Sequence, residues 1–450
     1  MLFLHPAFLA GIGLYVLGIY IVRRLSSPIA WFPGPAISRF TGLYLKWQEL
    51  RANRTLYVHS LHEKYGPVVR IAPNELSFTS WAAVKEIYCS SGSGYDKTDF
   101  YDLFKIYGRR TMFTTLDKTN HAKRKRIIAD RYANSNVMRN VSMAGIQERS
   151  AKFVERCRAA TNSTPDIFVD RLISYYVPTL HSLLSRVTRL FYSPRQTPLA
   201  DNYVISTAQK PDPAQFTLLS RLEEKKTAVE GSELDHIDVA AECLDHMVAG
   251  IDTTGDALCF LMWELSQPRS LEYQKRLQEE LRQNPEASLD QLPYLDAVLN
   301  EGLRVFPAIP MSLPRLVPEG GRHIDDRWVP QGTVVSCQAH SVHRINSHVF
   351  PNPDTFDPER WLQPDGDAER RRLLFAFSNG GRGCVGKHLA LAEMKTLLRD
   401  TYSKFSTTPD PSMKPESMAM SDQLISSRPL GQRCLLRFHP IVQDASAQQD

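Results

Sequence analysis

The segment Phe377-Ser-Asn-Gly-Gly-Arg-Gly-Cys-Val-Gly386 decides the fold of this 450-residue chain. Four of its residues are glycines, and they surround Cys384 just before a run that predicts a helix from about Lys387. Glycine lets the backbone adopt positive φ and approach a flat ligand closely. A helix N-terminus favours the thiolate form of a cysteine through its dipole and its free N–H groups. The segment therefore predicts a flat ligand held by the Cys384 sulfur.

A thiolate in this position is suited to be the axial ligand of a heme iron, because it pushes electron density that promotes O–O cleavage. The alternative is an inert cysteine in a turn, which leaves the spacing of its neighbours unexplained. Phe377, Gly380, Arg382, Cys384 and Gly386 match the pattern F-x-x-G-x-R-x-C-x-G position for position. The chain thus resembles the cytochrome P-450 superfamily. That resemblance implies heme b as cofactor, Cys384 as iron ligand and Arg382 as a partner of a heme propionate.

The fold that the resemblance implies is mainly α with a minor β region, built as a single heme domain behind an N-terminal transmembrane helix. The chain is most similar to membrane-bound fungal enzymes of specialised metabolism, notably from Leu292 to Trp361. The heme is expected between a long helix over Leu234 to Ser266 and the helix that follows Cys384.

Hydrophobic periodicity and turn signals predict the other elements. Val68 to Ile71 and Glu75 to Phe78 are typical of a β-hairpin. Helices are predicted over Ser38 to Lys64, much of Leu116 to Lys210, Arg269 to Arg282, Gln291 to Val305 and Leu389 to Phe405, with a late strand at Leu435 to Phe438.

Glu301-Gly-Leu-Arg304 resembles the family's E-x-x-R pair. Residues three apart on a helix share a face, so the two charges can pair. The segment from Pro353 to Trp361 resembles the family's following segment, whose arginine here is Arg360. The resemblance implies a structural network of Glu301, Arg304 and Arg360 that supports the cysteine loop.

Ala249-Gly-Ile-Asp-Thr-Thr254 lies within the predicted long helix and is similar to the family's oxygen-binding motif. These small and polar residues predict a local widening of the helix. By the resemblance, Thr253 would hydrogen-bond the bound oxygen and Asp252 would relay protons. The alternative is a kink in which the threonine bonds back to the helix backbone.

His121 and Lys125 occupy the Trp and Arg positions of the family's W-x-x-x-R helix, and both are candidates for the heme propionates. Arg315 is a further candidate. His340, His343 and His348 do not share an obvious face and are interpreted as structural rather than as a metal site.

Leu2 to Val22 contains no Asp, Glu, Lys or Arg and is followed at once by Arg23 and Arg24. This pattern predicts a transmembrane anchor over residues 2–22 with the arginine end in the cytosol. A Pro-rich arm over 23–37 and the heme-thiolate domain over 38–450 would follow. A cleaved signal peptide is the alternative, but its basic residues would stand on the other flank. The family resemblance implies the endoplasmic reticulum membrane.

Lys and Arg exceed Asp and Glu by only five, which gives no case for nucleic acid. The seven cysteines include no C-x-x-C, which argues against a zinc ribbon or a disulfide framework. No G-x-G-x-x-G motif, which would bind a dinucleotide, follows a predicted strand. The electrons for a heme-dependent reaction are therefore expected from a separate NADPH-dependent flavoprotein reductase.

The leading hypothesis is a monooxygenase that uses O2 to hydroxylate or epoxidise a lipophilic small molecule. Segments where members of the family line the substrate pocket are rich in Phe, Tyr, Ile and Leu; they are Tyr95 to Phe113, Val248-Ala249, Ala308 to Leu313 and Gln423 to Ser426. Terpenoid, polyketide and alkaloid substrates stay open. One alternative is a heme-thiolate isomerase or dehydratase that rearranges a peroxide without a reductase. Another is a non-catalytic heme binder, because the stretch from His121 to Thr253 is shorter than in most members of the family.

Overall fold

The computed structural model describes residues 6–156, 198–209, 217–228 and 234–441. Helices dominate these residues and the strands are short, which confirms a mainly α fold with a minor β region. The helices are α1 (Pro6–Leu25), α2 (Leu43–Leu50), α3 (Arg54–Tyr65), α4 (Trp81–Cys89), α5 (Lys118–Ile128), α6 (Asn134–Val137), α7 (Asn140–Arg156), α8 (Pro198–Ala208), α9 (Leu218–Ala228), α10 (His236–Leu265), α11 (Leu271–Gln283), α12 (Pro293–Val305), α13 (Ala339–Val342), α14 (Asp367–Leu373) and α15 (Lys387–Tyr402). The strands are β1 (Val68–Ala72), β2 (Glu75–Phe78), β3 (Asp96–Lys97), β4 (Arg315–Leu316), β5 (Arg322–Ile324), β6 (Arg327–Val329), β7 (Val334–Cys337), β8 (Phe405–Pro409), β9 (Met420–Gln423), β10 (Ser426–Pro429) and β11 (Leu436–Pro440).

The N-terminal helix α1 packs against little of the remaining protein. Its segment Phe8–Leu25 has a mean hydropathy of 1.6 and no buried residue, and by length and composition it is able to cross a membrane. Arg23 and Arg24 form its last turn, so α1 extends three residues into the predicted arm. Residues 1–5, where the predicted anchor begins, lie outside the described residues.

The largest sheet has five strands in the order β1-β2-β7-β4-β3. The predicted hairpin is confirmed, since β1 and β2 are antiparallel with Val68 opposite Phe78. β7 adds to this hairpin in parallel and pairs antiparallel with β4. β4 in turn pairs with β3, which sets Lys97 directly opposite Arg315. The sheet thereby brings two cations from distant parts of the sequence together.

The helices α10, α11, α12 and α15 enclose an apolar core of their own. α12 lies very close to α10, because a Cβ atom at Gly302 would stand 2.8 Å from a methyl carbon of Leu261. The opposite side of α12 is buried as well, so Glu301 and Arg304 are enclosed by protein.

The predicted long helix is confirmed, since α10 runs for 30 residues from His236 to Leu265. It begins with a capping box, in which the Asp235 carboxylate accepts from the backbone N–H of Ile237 and of Asp238. The Asp238 carboxylate accepts from the Asp235 N–H in return. The cap fixes the start of the helix that carries the segment from Ala249 to Thr254.

Two predicted helix boundaries are wrong. The helix predicted over Ser38 to Lys64 is divided into α2 and α3, and Ala52 between them has a φ of 53°, which no helix continues through. The helix predicted to reach Phe405 ends at Tyr402, because Phe405 pairs with Pro440 in the β8–β11 ladder. Much of the predicted helical stretch from Leu116 to Lys210 lies outside the described residues.

Candidate functional site

The cysteine loop, residues 377–386, folds back on itself ahead of α15. The backbone N–H of Cys384 donates to the Phe377 carbonyl at 2.9 Å, and the N–H of Gly383 donates to the Gly380 carbonyl at 2.9 Å. These turns bring Cys384, which is an exposed residue, to the N-terminal end of α15. The loop therefore places the Cys384 thiol at the start of a helix, where a ligand could bind.

Glycine is required at position 380 by both conformation and space. Gly380 has a φ of 70°, a value that side chains disfavour. A Cβ atom there would stand 2.0 Å from the carbonyl oxygen of Tyr88 in α4. At Gly386 the added Cβ would meet the Cys384 sulfur at 3.9 Å, an ordinary contact. The loop thus packs closely against α4, and Gly380 is essential to that contact.

The surroundings of Cys384 act on its thiol in opposite directions. Desolvation by neighbouring protein atoms raises the pKa of Cys384, whereas the N–H of Gly386 and the ammonium groups of Lys125 and Lys387 oppose that rise. Lys387 also lies 5.9 Å from the ring centre of Phe377. A bound metal ion would favour the thiolate further.

A buried cluster of cations lies beside the loop. Lys97, Arg315 and Arg382 are exposed by only 6%, 2% and 7%. Burial and mutual repulsion lower the pKa of Lys97 far below its usual range and lower that of Arg382 to about 10. The nearest carboxylate to Arg382 is that of Asp96, with an oxygen 3.8 Å from Nη2.

This cationic cluster fits the carboxylates of a heme. The Nε and Nη1 atoms of Arg382 are buried and have no hydrogen-bond partner among the described residues. Buried charges in proteins are normally paired, so the cluster is short of anionic groups. Two propionates would supply them. Arg382, a member of the cluster, stands only two residues before Cys384 in the same loop. The residues present therefore fit the cofactor that the family resemblance implies.

The two candidates on α5 have different surroundings. His121 is buried, and burial together with the charge of Lys97 lowers its pKa to about 3, so the ring is neutral at physiological pH. Lys125 donates from Nζ to the carbonyls of Gly381 at 2.9 Å and of Gly383 at 3.1 Å. Lys125 thus braces the cysteine loop, and His121 borders the cationic cluster.

Glu301, Arg304 and Arg360 form a buried network. Glu301 and Arg304 are fully buried, and two parallel bonds of 2.8 Å join the carboxylate to Nε and Nη2 of Arg304. Arg360 donates from Nε to Glu301 at 3.0 Å, and the indole N–H of Trp361 donates to Glu301 at 2.9 Å. The backbone N–H of Asp357 adds a fifth bond to the same carboxylate at 2.9 Å.

His343 connects this network to the cysteine loop, a role that the sequence did not indicate. Its Nδ1 lies 2.9 Å from the Arg304 carbonyl, and its Nε2 accepts from the Phe375 N–H at 2.7 Å. Phe375 in turn accepts from the N–H of Ser378 inside the loop. Burial lowers the pKa of His343 to about 3, so the ring stays neutral and its Nε2 keeps the lone pair that this contact needs. His343 is therefore structural, as predicted.

The middle of α10 is open where its two ends are buried. Met247, Val248 and Ile251 are 45%, 45% and 68% exposed, whereas the flanking stretches 239–242 and 257–258 are buried. Val385, next to Cys384, packs in the same apolar cluster as Val239 of α10. We infer that the exposed apolar face and the exposed cysteine border one space, named here the central cleft.

The segment from Ala249 to Thr254 keeps regular helical geometry within α10, so the predicted local widening is not present in the backbone. The Thr253 hydroxyl donates to the carbonyl of Ala249 at 2.7 Å, which is the back-bonded arrangement named above as the alternative. Asp252 is ion-paired with Arg428 of β10, at 2.8 Å from Nη2. Neither Arg428 nor Lys97 belongs to a motif, and both were missed by sequence reasoning.

The sequence is similar to known proteins of one family. A family model described as Cytochrome P450 matches residues 179–435, more than half of the chain. Cytochrome P450 monooxygenase stcB of Emericella nidulans is 28% identical, over 91% of this chain and 88% of the relative. Cytochrome P450 monooxygenase tazI of Aspergillus terreus is 29% identical, over 92% of this chain and 95% of the relative. Conidiogenone synthase PchP450 of Penicillium rubens is 27% identical, over 87% of this chain and 90% of the relative.

Proposed function

Because the chain belongs to the cytochrome P450 family and is thus a heme-dependent monooxygenase, we propose that it inserts one oxygen atom of O2 into a lipophilic small molecule of fungal specialised metabolism. Hydroxylation and epoxidation are the two expected outcomes. The observations that carry the proposal are the exposed residue Cys384, the buried cationic cluster beside its loop and the exposed apolar side chains in the middle of α10.

Cys384 would hold the heme iron, and Arg382, His121, Lys125 and Arg315 would face its propionates or brace the loop. When bound, a heme with a thiolate ligand supplies the electron-rich iron that cleaves O–O bonds. Phe377, Gly380 and Gly386 would shape the loop around the sulfur. The support is the anion-deficient cluster and the two backbone hydrogen bonds within the loop, Cys384 to Phe377 and Gly383 to Gly380.

Asp252 and Thr253 would relay protons to the central cleft. The Thr253 hydroxyl donates its hydrogen bond to the Ala249 carbonyl. Its oxygen still has lone pairs that can accept a hydrogen bond from a water or another donor in the cleft. Asp252 is more than a third exposed and would exchange protons with solvent when it is released from Arg428. Together they would form a relay from solvent to the cleft.

The open face of α10 would contact the substrate. Met247, Val248 and Ile251 are large apolar side chains, and covering them with an apolar molecule removes them from water, which stabilises the complex. This favours a lipophilic substrate, and terpenoid, polyketide and alkaloid scaffolds all satisfy that requirement.

Electrons would come from an NADPH-dependent flavoprotein reductase. Three basic residues near the cysteine loop, Arg124, Lys125 and Lys387, are candidates for its docking. Lys125 is committed to the carbonyls of the cysteine loop and Arg124 donates to the Arg110 carbonyl at 2.5 Å, so of the three only Lys387 is exposed. We therefore assign docking to the surface around Lys387.

Residues 2–22 would anchor the protein in the endoplasmic reticulum membrane as a single span, with an arm over 23–37 and the heme domain over 38–450 on the cytosolic side. The support is one apolar helix, α1, that ends in Arg23 and Arg24. Positive charge at a helix end favours the cytosolic side.

The experiment that tests the proposed reaction starts from cells with and without the gene, grown under ¹⁸O-labelled O2. The compound that accumulates in the deletion strain is then given to the purified full-length protein with reductase and NADPH. We expect a product that carries one ¹⁸O atom and that forms only while NADPH is consumed. Product formation without NADPH or without label would instead support the isomerase or dehydratase alternative.

A further inference from the structure

Two carboxylates on neighbouring turns of α10 share one guanidinium. Asp252 and Asp256 are four residues apart, so they lie on the same face of the helix. Arg428 of β10 reaches this face and donates from Nη2 to Asp252 at 2.8 Å, while its Nε stands 3.4 Å from Asp256. The side chains of Asp252 and Asp256 are 36% and 17% exposed.

The guanidinium lies closer to the Asp252 carboxylate than to the Asp256 carboxylate. The short contact to Asp252 has hydrogen-bond geometry, whereas the Asp256 oxygen nearest Arg428 is buried and makes no hydrogen bond among the described residues. Two like charges four residues apart on a helix also repel each other. One cation therefore stabilises one carboxylate well and the other poorly.

Arg428 is part of the β9–β10 hairpin, an element remote in sequence from α10. The N–H of Ser427 donates to the carbonyl of Ala308 at 3.1 Å, which ties the hairpin to another segment predicted to line the substrate pocket. The ion pair thus joins the proposed proton-relay acid to the elements where substrate contacts are expected.

We propose that Arg428 is a positioning residue for proton delivery: it holds the Asp252 carboxylate against the hairpin, and Asp256 competes with Asp252 for its guanidinium. This rests on the proposed role of Asp252. When Asp256 is protonated, Arg428 forms its ion pair with Asp252 alone and restrains that side chain. When Asp256 is ionised, the guanidinium is drawn toward Asp256, and Asp252 gains freedom to turn to the central cleft.

The electrostatics of Asp256 support this competition. Burial raises the pKa of Asp256 to about 7, the charge of Arg428 lowers it, and that of Asp252 raises it. In the described parts of the chain, the charged groups acting on Asp256 are Asp252 on its own helix and Arg428 on the hairpin. Cys259, one turn further along α10, and Cys434, which donates to the Cys259 carbonyl at 3.6 Å, are the neighbouring titratable thiols.

The test is a pH titration of the protonated-carboxyl infrared band of the full-length, heme-loaded protein. The difference between wild type and Asp256→Asn isolates Asp256. We expect Arg428→Gln to shift this titration upward by about 1 to 3 pH units and Asp252→Asn to shift it downward, because the first removes a cation and the second a like charge. Arg428→Lys should restore most of the wild-type position. The matched control is Arg437→Gln, because Arg437 is an exposed arginine of β11 that pairs with Asp410 at 3.2 Å; it should cause no shift.

A second readout is the pH profile of NADPH oxidation with the reductase and no added substrate. We expect an inflection near pH 7 in the wild type and in Arg437→Gln, and its loss in Asp256→Asn. Identical carboxyl titrations in wild type, Arg428→Gln and Asp252→Asn would overturn the inference, and so would an unchanged profile in Asp256→Asn. Either result can be obtained with a protein that still shows a heme-thiolate spectrum and ¹⁸O insertion. Failure of this inference is therefore distinguishable from failure of the proposed function.

Discussion

Replacing Glu301 with Gln tests how the cysteine loop is supported. The fully buried Glu301 carboxylate accepts five hydrogen bonds, from Arg304, Arg360, Trp361 and the backbone of Asp357. Glutamine keeps one acceptor oxygen but turns an NH2 group toward these donors. It leaves the buried Arg304 guanidinium without its carboxylate partner, and Arg360 with only the 3.9 Å contact to Asp357. Removing one partner of a buried ion pair costs about 3–5 kcal/mol, which is a large part of the roughly 5–15 kcal/mol that stabilises a typical domain.

Denaturant unfolding and heme retention of the full-length protein measure this loss. The matched control is Glu272→Gln, because Glu272 also pairs with a cation three residues away, Lys275 at 2.7 Å, but both side chains are exposed. An exposed pair contributes about 0–1 kcal/mol. We expect Glu301→Gln to lower the free energy of unfolding by about 3 kcal/mol or more and to release heme. A loss as small as that of Glu272→Gln would refute this account of the network.

Three further predictions concern the loop and its supports. Gly380→Ala should abolish heme loading, because its Cβ would meet the Tyr88 carbonyl at 2.0 Å; normal heme content by absorbance would contradict the tight contact with α4. Arg382→Gln should speed heme transfer to an acceptor apoprotein severalfold, because a buried cation is lost from the cluster; an unchanged rate would show that Arg382 does not face a propionate. Stability should fall as the pH drops from about 6.5 toward 3, since the pKa of His343 is lowered to about 3 in the fold and the unfolded chain therefore binds the proton more readily. His343→Gln should flatten that part of the pH profile of the thermal midpoint, and an equal slope in both proteins would contradict the role of His343.

The cysteine loop could be predicted from sequence because its requirements are local. The glycines, Arg382 and Cys384 lie within ten residues, so spacing alone states which groups meet. The pairing of Glu301 with Arg304 is local for the same reason, since one helical turn separates them.

Contacts made by distant segments could not be predicted in this way. Lys97 meets Arg315 only because β3 pairs with β4, and Arg428 reaches Asp252 only because the β9–β10 hairpin crosses α10. His343 looked like one of three scattered histidines, and its function depends on two backbone groups that leave no trace in the sequence. The boundary between α2 and α3 was missed because Ala52 carries no turn signal.

The most direct test of the central claim, that Cys384 is the thiolate ligand of a heme, is the reduced carbon monoxide difference spectrum of the full-length protein. We predict the thiolate-type Soret band in the wild type and its loss in Cys384→Ser at comparable protein folding. A folded, heme-loaded wild type without this band, or a Cys384→Ser variant that retains it, would contradict the account.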